Sequence, residues 1–191
     1  CRFICRAHAG HLGAAITAAG NDLVLLPLRP VKANSVETYG AWLGADIETD
    51  VQDTIAALGK LKPAYVIADH YAIDQRWEQP VAKATGARIL AIDGLANRTH
   101  ACDILIDPSF SIEGPARWTG LVGPGCAVHT GPHFTPLRRE FRETRRAEPR
   151  DGTIRRVFIA FGGVDEPNAT GLALEALLSL GRPDLAADVV I

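Results

Sequence analysis

Short apolar runs alternate with segments of helical spacing over most of this chain. That rhythm constrains the fold more than any other feature of the sequence. Cys1–Cys5 reads as a strand and is followed by a helical pattern over His8–Ala19, stopped by Gly20 and Asn21. Leu23–Leu28 reads as a strand, and 30–47 as irregular. Asp50–Leu61 carries Val51, Ile55, Ala56 and Leu58 at helical spacing. Ala64–Ala68 is an apolar run after Pro63 and reads as a buried strand; Asp74–Thr85 follows as a helix ended by Gly86, and Arg88–Ile92 as a strand. Strands separated by helices predict an α/β fold, a Rossmann-like parallel sheet wrapped by helices.

After Asp93 the rhythm shortens. Asp103–Ile106 and Ala127–His129 read as brief strands, with no clear helix between Thr99 and Pro136. Leu137–Arg145 reads as a helix and the polar stretch Glu148–Gly152 as a linker. Ile154–Phe161 then starts a new strand, Ala169–Leu180 a helix, and Asp188–Ile191 a further strand. The expected organisation is one α/β domain over 1–147 and the opening of a second over 148–191. Met is absent, even at position 1, and both ends read as strands. The chain is therefore expected to be a fragment of a longer protein.

Composition narrows the function classes. With 191 residues, 47% hydrophobic and 22% charged, the chain has a globular balance. No apolar stretch approaches the length of a membrane span, so no membrane partner is expected. Twenty basic residues against 22 acidic ones give a net charge of −2. The arginines between Arg138 and Arg156 are interspersed with acids, so they predict a solvated helix and linker, and no nucleic-acid partner. The four cysteines form no CxxC pair, which predicts free buried thiols, a cytoplasmic location and no metal site.

Asp69, His70 and Tyr71 fall at the C-terminal end of the Ala64–Ala68 strand, where open α/β sheets gather their ligands. An acid, an imidazole and a phenol there can hydrogen-bond a sugar or move protons; a helix cap and a satisfied histidine account for the same residues equally well. Asp93 ends the neighbouring strand and either lines the same cleft or caps a turn. There is no GxGxxG and no phosphate loop of the Walker type. The turn Gly162-Gly163-Val164-Asp165 lies between a strand and a helix, where backbone N–H groups attract phosphate. Asp165 and Asn168 alternatively cap the helix.

Six segments in order resemble the UDP-sugar hydrolases of pseudaminic acid synthesis, the UDP-2,4-diacetamido-2,4,6-trideoxy-β-L-altropyranose hydrolases. These are Cys1–Arg6, Trp42-Leu43-Gly44 with Asp50–Leu58, Asp69–Glu78 (DHYAIDQRWE), Ile92–Asp107, Gly131–Phe141 and Phe161–Thr170. The resemblance implies a glycosyltransferase-B-like architecture with UDP held mainly by the C-terminal domain. It implies a metal-independent, cofactor-free reaction in which water attacks the anomeric carbon with inversion and UDP leaves. Tyr71 matches the family's active-site tyrosine, with His70 and Asp69 as orienting partners. Asp93, Gly162, Gly163, Asp165 and Asn168 would contact the UDP-sugar substrate. The family's base is a histidine in a Gly-rich loop after its first strand, which would precede Cys1, so residues 1–191 alone are expected to be inactive. Gly10-His11 imitates that loop, but Cys1–Arg6 matches the second strand, which makes His11 a surface or capping residue. Gly94, Asn97, Phe134, Pro136 and Val164 depart from the family pattern. A glycosyltransferase of the same architecture and an inactive sugar-nucleotide binder stand as alternatives.

Overall fold

The computed structural model describes residues 1–30, 39–144, 151–162 and 165–190. It divides into two compact units, Cys1–Leu137 and Arg138–Ile191. In the first unit the strands are β1 (Arg2–Arg6), β2 (Asp22–Leu26), β3 (Tyr65–Ala68), β4 (Arg88–Ile92), β5 (Ile104–Asp107) and β6 (Ala127–Thr130). Its helices are α1 (Gly13–Ala18), α2 (Gly40–Leu43), α3 (Ile47–Leu58) and α4 (Gln75–Thr85). The second unit holds α5 (Arg139–Glu143), β7 (Arg156–Ala160), α6 (Ala169–Ser179) and β8 (Ala186–Val190). Every paired strand among the described residues runs parallel to its neighbour, so the α/β class with parallel sheets is the fold class of this chain.

The expectation of one sheet in the N-terminal part needs correcting. Among the described residues β1 pairs only with β2, while β3-β4-β5-β6 form a separate four-stranded sheet in sequence order. β3 is therefore an edge strand, and the expectation that it is buried fails with it. Its burial falls to a single residue, Ala68, while Tyr65 is 38% and Ile67 63% exposed. An edge strand has one ladder partner, and its outer flank meets no neighbouring side chains.

The core explains which strand residues are buried. Ile89 and Ala91 of β4 and Leu105 of β5 alternate with less buried neighbours, as the two-residue period of a strand requires. They pack against Trp77 and Val81 of α4, with Val51 of α3 and Trp118 in the same cluster. Trp77 and Val81 are one helical turn apart and present one face to the sheet.

Helix ends follow local chemistry. The Asp46 side chain accepts from Thr49 N–H, so α3 begins before the expected Asp50. Asp74 accepts from Arg76 N–H at the head of α4, and Gly86 closes it in the left-handed conformation that glycine tolerates best. The expected helix over His8–Ala19 shortens to α1, because His11 Nδ1 accepts from Gly13 N–H at 3.1 Å and ties the preceding residues into a turn. Two single-turn 3-10 helices, Gly114–Trp118 and Pro132–Phe134, lie where no helix was legible. Among the described residues no helix is long and apolar enough to cross a membrane.

Candidate functional site

The C-terminal ends of β3, β4 and β5 carry Asp69–Tyr71, Asp93 and Asp107 along one crest of the four-stranded sheet. Parallel register places these ends side by side: Ala68 is opposite Ala91, and Ile92 opposite Ile106. The three carboxylates nevertheless occupy different environments. Asp69 is exposed and makes no hydrogen bond among the described residues, whereas Asp93 and Asp107 are 1% and 0% exposed.

Asp93 is absorbed into the scaffold. Its Oδ1 accepts from Leu95 N–H at 2.6 Å, and its Oδ2 pairs with the Arg98 guanidinium. Arg98 Nε also donates to the Ile73 carbonyl at 2.8 Å, joining the turn after β4 to the turn after β3. On its other side Asp93 faces His100, whose Nε2 stands 3.6 Å from Oδ2, an ion-pair distance too long for a hydrogen bond. His100 Nδ1 lies 2.7 Å from Glu78 Oε1, and Ala101 N–H donates to Glu78 Oε2 at 2.6 Å. Burial opposes charging of His100, yet the two flanking carboxylates outweigh it and raise its pKa to about 9. Burial likewise pushes Asp93 up, but His100, the Leu95 N–H and Arg98 outweigh it and hold its carboxyl below the usual range. Thus the crest rests on a buried chain of alternating charges, Glu78–His100–Asp93–Arg98. Asp93, expected to touch substrate, presents almost no surface and acts through Arg98 on the turn that carries Tyr71.

Asp107 supports the same crest from β5. It accepts from Ser109, from Arg117 Nη1 at 3.1 Å and from the Trp118 indole at 3.0 Å. Arg117 also donates to the Gly94 and Leu95 carbonyls. Gly94, a departure from the family pattern, is packed closely here: a Cβ at that position would stand 2.5 Å from Ser109 Oγ. The glycine is thus matched to Ser109 in this chain.

His70 and Tyr71 divide their roles. His70 Nδ1 accepts from Ala72 N–H at 3.0 Å. Burial lowers its pKa, so the ring is neutral near pH 7, with Nδ1 free to accept the Ala72 N–H. His70 therefore holds the turn, and its neighbours are left open to ligand. Tyr71 is 41% exposed, and its ring lies 5.2 Å from Tyr39, which stands 5.2 Å from Trp42. These three aromatic rings form a half-open shelf at the turn after β3. The Trp42-Leu43-Gly44 stretch was visible in the sequence, but its meeting with Tyr71 was not, because about thirty residues separate them.

In the second unit Gly162 adopts a positive φ of 87° after β7, while Gly163 and Val164 lie outside the described residues. The Asp165 carboxylate accepts from Ala169 and Thr170 N–H at 2.8 and 2.7 Å. Asn168 Oδ1 accepts from Gly171 N–H at 3.2 Å. Hydrogen bonds from Thr170 hold the Asp165 carboxyl below the usual carboxylate range. The first donors of α6 are therefore already satisfied by these two side chains, which makes both of them helix caps in this structure.

Among the described residues, no group of three or more His, Cys, Asp or Glu is placed to hold a metal ion. A cleft of about 480 Å³ is lined by Gln75, Gln79, Thr99, Cys102 and Cys126 among others. It contains none of Asp69, His70, Tyr71 or Asp93, and the exposed acid and phenol make the crest the better candidate site.

No family model matches the chain. It is similar to the UDP-2,4-diacetamido-2,4,6-trideoxy-β-L-altropyranose hydrolase of Campylobacter jejuni, at 28% identity over 120 residues, which is 62% of this chain and 42% of that protein. The chain thus matches less than half the length of that relative. Among solved structures, LpCGTa in complex with UDP aligns with a TM-score of 0.47 and 13% identity, covering 90% of this chain and 55% of the other.

Proposed function

We propose that the protein carrying this chain hydrolyses a UDP-linked 2,4-diacetamido-2,4,6-trideoxy hexose, releasing UDP and the free sugar, within a glycosyltransferase-B-like architecture. The observation that carries the reading is the split among the crest residues: Asp69 and Tyr71 are open, while His70, Arg98 and Asp93 are spent on holding their turn. The sequence similarity to a UDP-sugar hydrolase supports the same chemistry. A glycoside of a good leaving group needs little acid assistance, so what remains is to orient water and sugar and to stabilise the departing diphosphate.

In this reading Tyr71 hydrogen-bonds the reacting sugar or the attacking water, and Asp69 accepts a sugar hydroxyl or a proton. His70 fixes both by locking the turn, and Asp93 does so through Arg98. In the second unit, Asp165 and Asn168 keep the helix after Gly162 in place. Water enters opposite the leaving group, so the configuration at the anomeric carbon inverts. No step needs a metal.

The test is UDP release by the full-length protein from the diacetamido-trideoxy substrate, with and without a sugar acceptor. Release that is independent of acceptor and undiminished by EDTA is the expected result. Release only with acceptor makes the protein a transferase, binding without release makes it a sugar-nucleotide binder, and loss on chelation with rescue by a divalent ion removes the metal-free mechanism.

A further inference from the structure

Outside the crest, two thiols meet. Cys102 Sγ and Cys126 Sγ are 3.6 Å apart, although 24 residues separate them in sequence. They precede neighbouring parallel strands. Ile104 of β5 is in register with Ala127 of β6, and Ala127 N–H donates to the Asp103 carbonyl at 2.9 Å. Adjacent strands lie about 4.8 Å apart, and a disulfide joins Cα atoms roughly 4.4–6.8 Å apart, so residues at this offset are within bridging reach. Both thiols also line the 480 Å³ cleft, which gives a small molecule access to them. Cys102 is buried and Cys126 half-exposed, so the expectation of uniformly buried thiols holds for Cys102 alone.

We propose that Cys102 and Cys126 are an oxidisable dithiol, a modification site that closes to a disulfide on meeting a low-molecular-weight disulfide such as oxidised glutathione. The Cys126 thiolate attacks one sulfur of the oxidant, whose S–S bond breaks and releases one glutathione thiolate. Deprotonated Cys102 then attacks Cys126 Sγ, and the second glutathione leaves. The protein loses two protons and two electrons, and the oxidant gains them as two thiols. Burial pushes both thiol pKa values up, so each attack is slow and entry runs through the more open Cys126. Closure ties the 99–103 segment, which carries His100, to the 120–126 loop across the floor of the cleft. The other two cysteines offer no equivalent: Cys1 and Cys5 are four residues apart along one extended segment, about 13 Å.

The test uses the 191-residue chain with Cys1→Ser and Cys5→Ser, so that only this pair remains. Native protein is incubated with excess oxidised glutathione, quenched with acid, alkylated and weighed. The expected product is about 2 Da lighter, takes up no alkylating agent, yields a peptide linked through Cys102 and Cys126, and reverts with dithiothreitol. Its melting temperature is expected to rise by several degrees, because the link closes a loop in the unfolded chain. Thiols that stay free, or a persistent glutathione adduct with no internal link, while the urea-unfolded chain does cross-link, overturn the proposal. A further Cys126→Ser change keeps the test independent of the double variant's folding: with an unchanged circular dichroism spectrum, Cys102 should become unreactive. Glutathione addition to Cys102 as fast as the pair closes overturns the proposed order of attack.

Discussion

At the scale of single residues, the crest separates groups that face solvent from groups that hold them. Tyr71 belongs to the first kind. Tyr71→Phe removes one hydroxyl and keeps the ring against Tyr39. In the full-length enzyme we expect kcat to fall about 10- to 100-fold with KM nearly unchanged, from ~1.4–3 kcal/mol lost mainly in the transition state. A kcat within twofold of the parent, on folded protein, removes Tyr71 from the mechanism. His100 belongs to the second kind, and its effect is on stability. Its folded-state pKa of about 9 lies above the unfolded value near 6.5. The stabilisation is therefore complete below about pH 6.5 and is lost as pH rises through about 9. The unfolding free energy from denaturant titrations should fall by an amount on the order of 3 kcal/mol between pH 6 and 9.5, and His100→Gln should flatten that slope; a flat parent profile excludes the charged histidine. Tyr71 was legible beforehand as a candidate after a strand, whereas the role of His100 was not. A lone histidine between carboxylates that arrive from α4 and β4 is a three-dimensional coincidence, because Glu78 and His100 are 22 residues apart.

At the scale of elements, the sequence was read most securely where local chemistry decides. Arg88–Ile92 matches β4 at both ends, since five apolar-rich residues follow a helix-ending glycine. The helix after Asp74 was equally clear, because its start and stop depend on Asp74 and Gly86 alone. Asp74→Ala removes the bond accepted from Arg76 N–H and should cost about 1 kcal/mol, measurable by chemical denaturation. Asp74→Asn should recover most of that loss, and an alanine variant as stable as the parent would show that packing of Trp77 and Val81 alone fixes the head of α4. The helix start at Ile47 was missed because the same kind of cap, Asp46, precedes too few apolar residues to show a period. The 3-10 turn over Gly114–Trp118 was missed because five residues are too few for a helical period to repeat, and its anchor is the distant Asp107.

At the scale of the N-terminal unit, one buried cluster ties its two sheets together. Arg6 of β1 donates to Asp50 of α3 at 2.8 Å and to the Pro27 carbonyl at 2.5 Å, and the Trp77 indole of α4 donates to the other Asp50 oxygen at 2.8 Å. Asp50→Ala leaves a buried guanidinium with Asp53 as its one remaining acid among the described residues and a tryptophan N–H without its acceptor. We expect a loss of about 2–4 kcal/mol and faster amide exchange in β1–β2 than in β3–β6. A uniform change across both sheets would show that they unfold as one. Replacing Arg6 and Asp50 together with Met and Leu should recover much of the loss, because no charge is then left buried alone. The sequence by itself determined the α/β class, the order of the strands and of the longer helices, though not α2, and the placing of Asp69, His70 and Tyr71 after a strand. All of these follow from apolar period and turn chemistry within a few residues. Tertiary structure alone decided that β3 is an edge strand, that Asp93 is buried while Asp69 is open, and that His70 holds a turn. Which carboxylate meets water depends on the guanidinium and imidazole groups that remote segments bring to it, and no local pattern encodes that meeting.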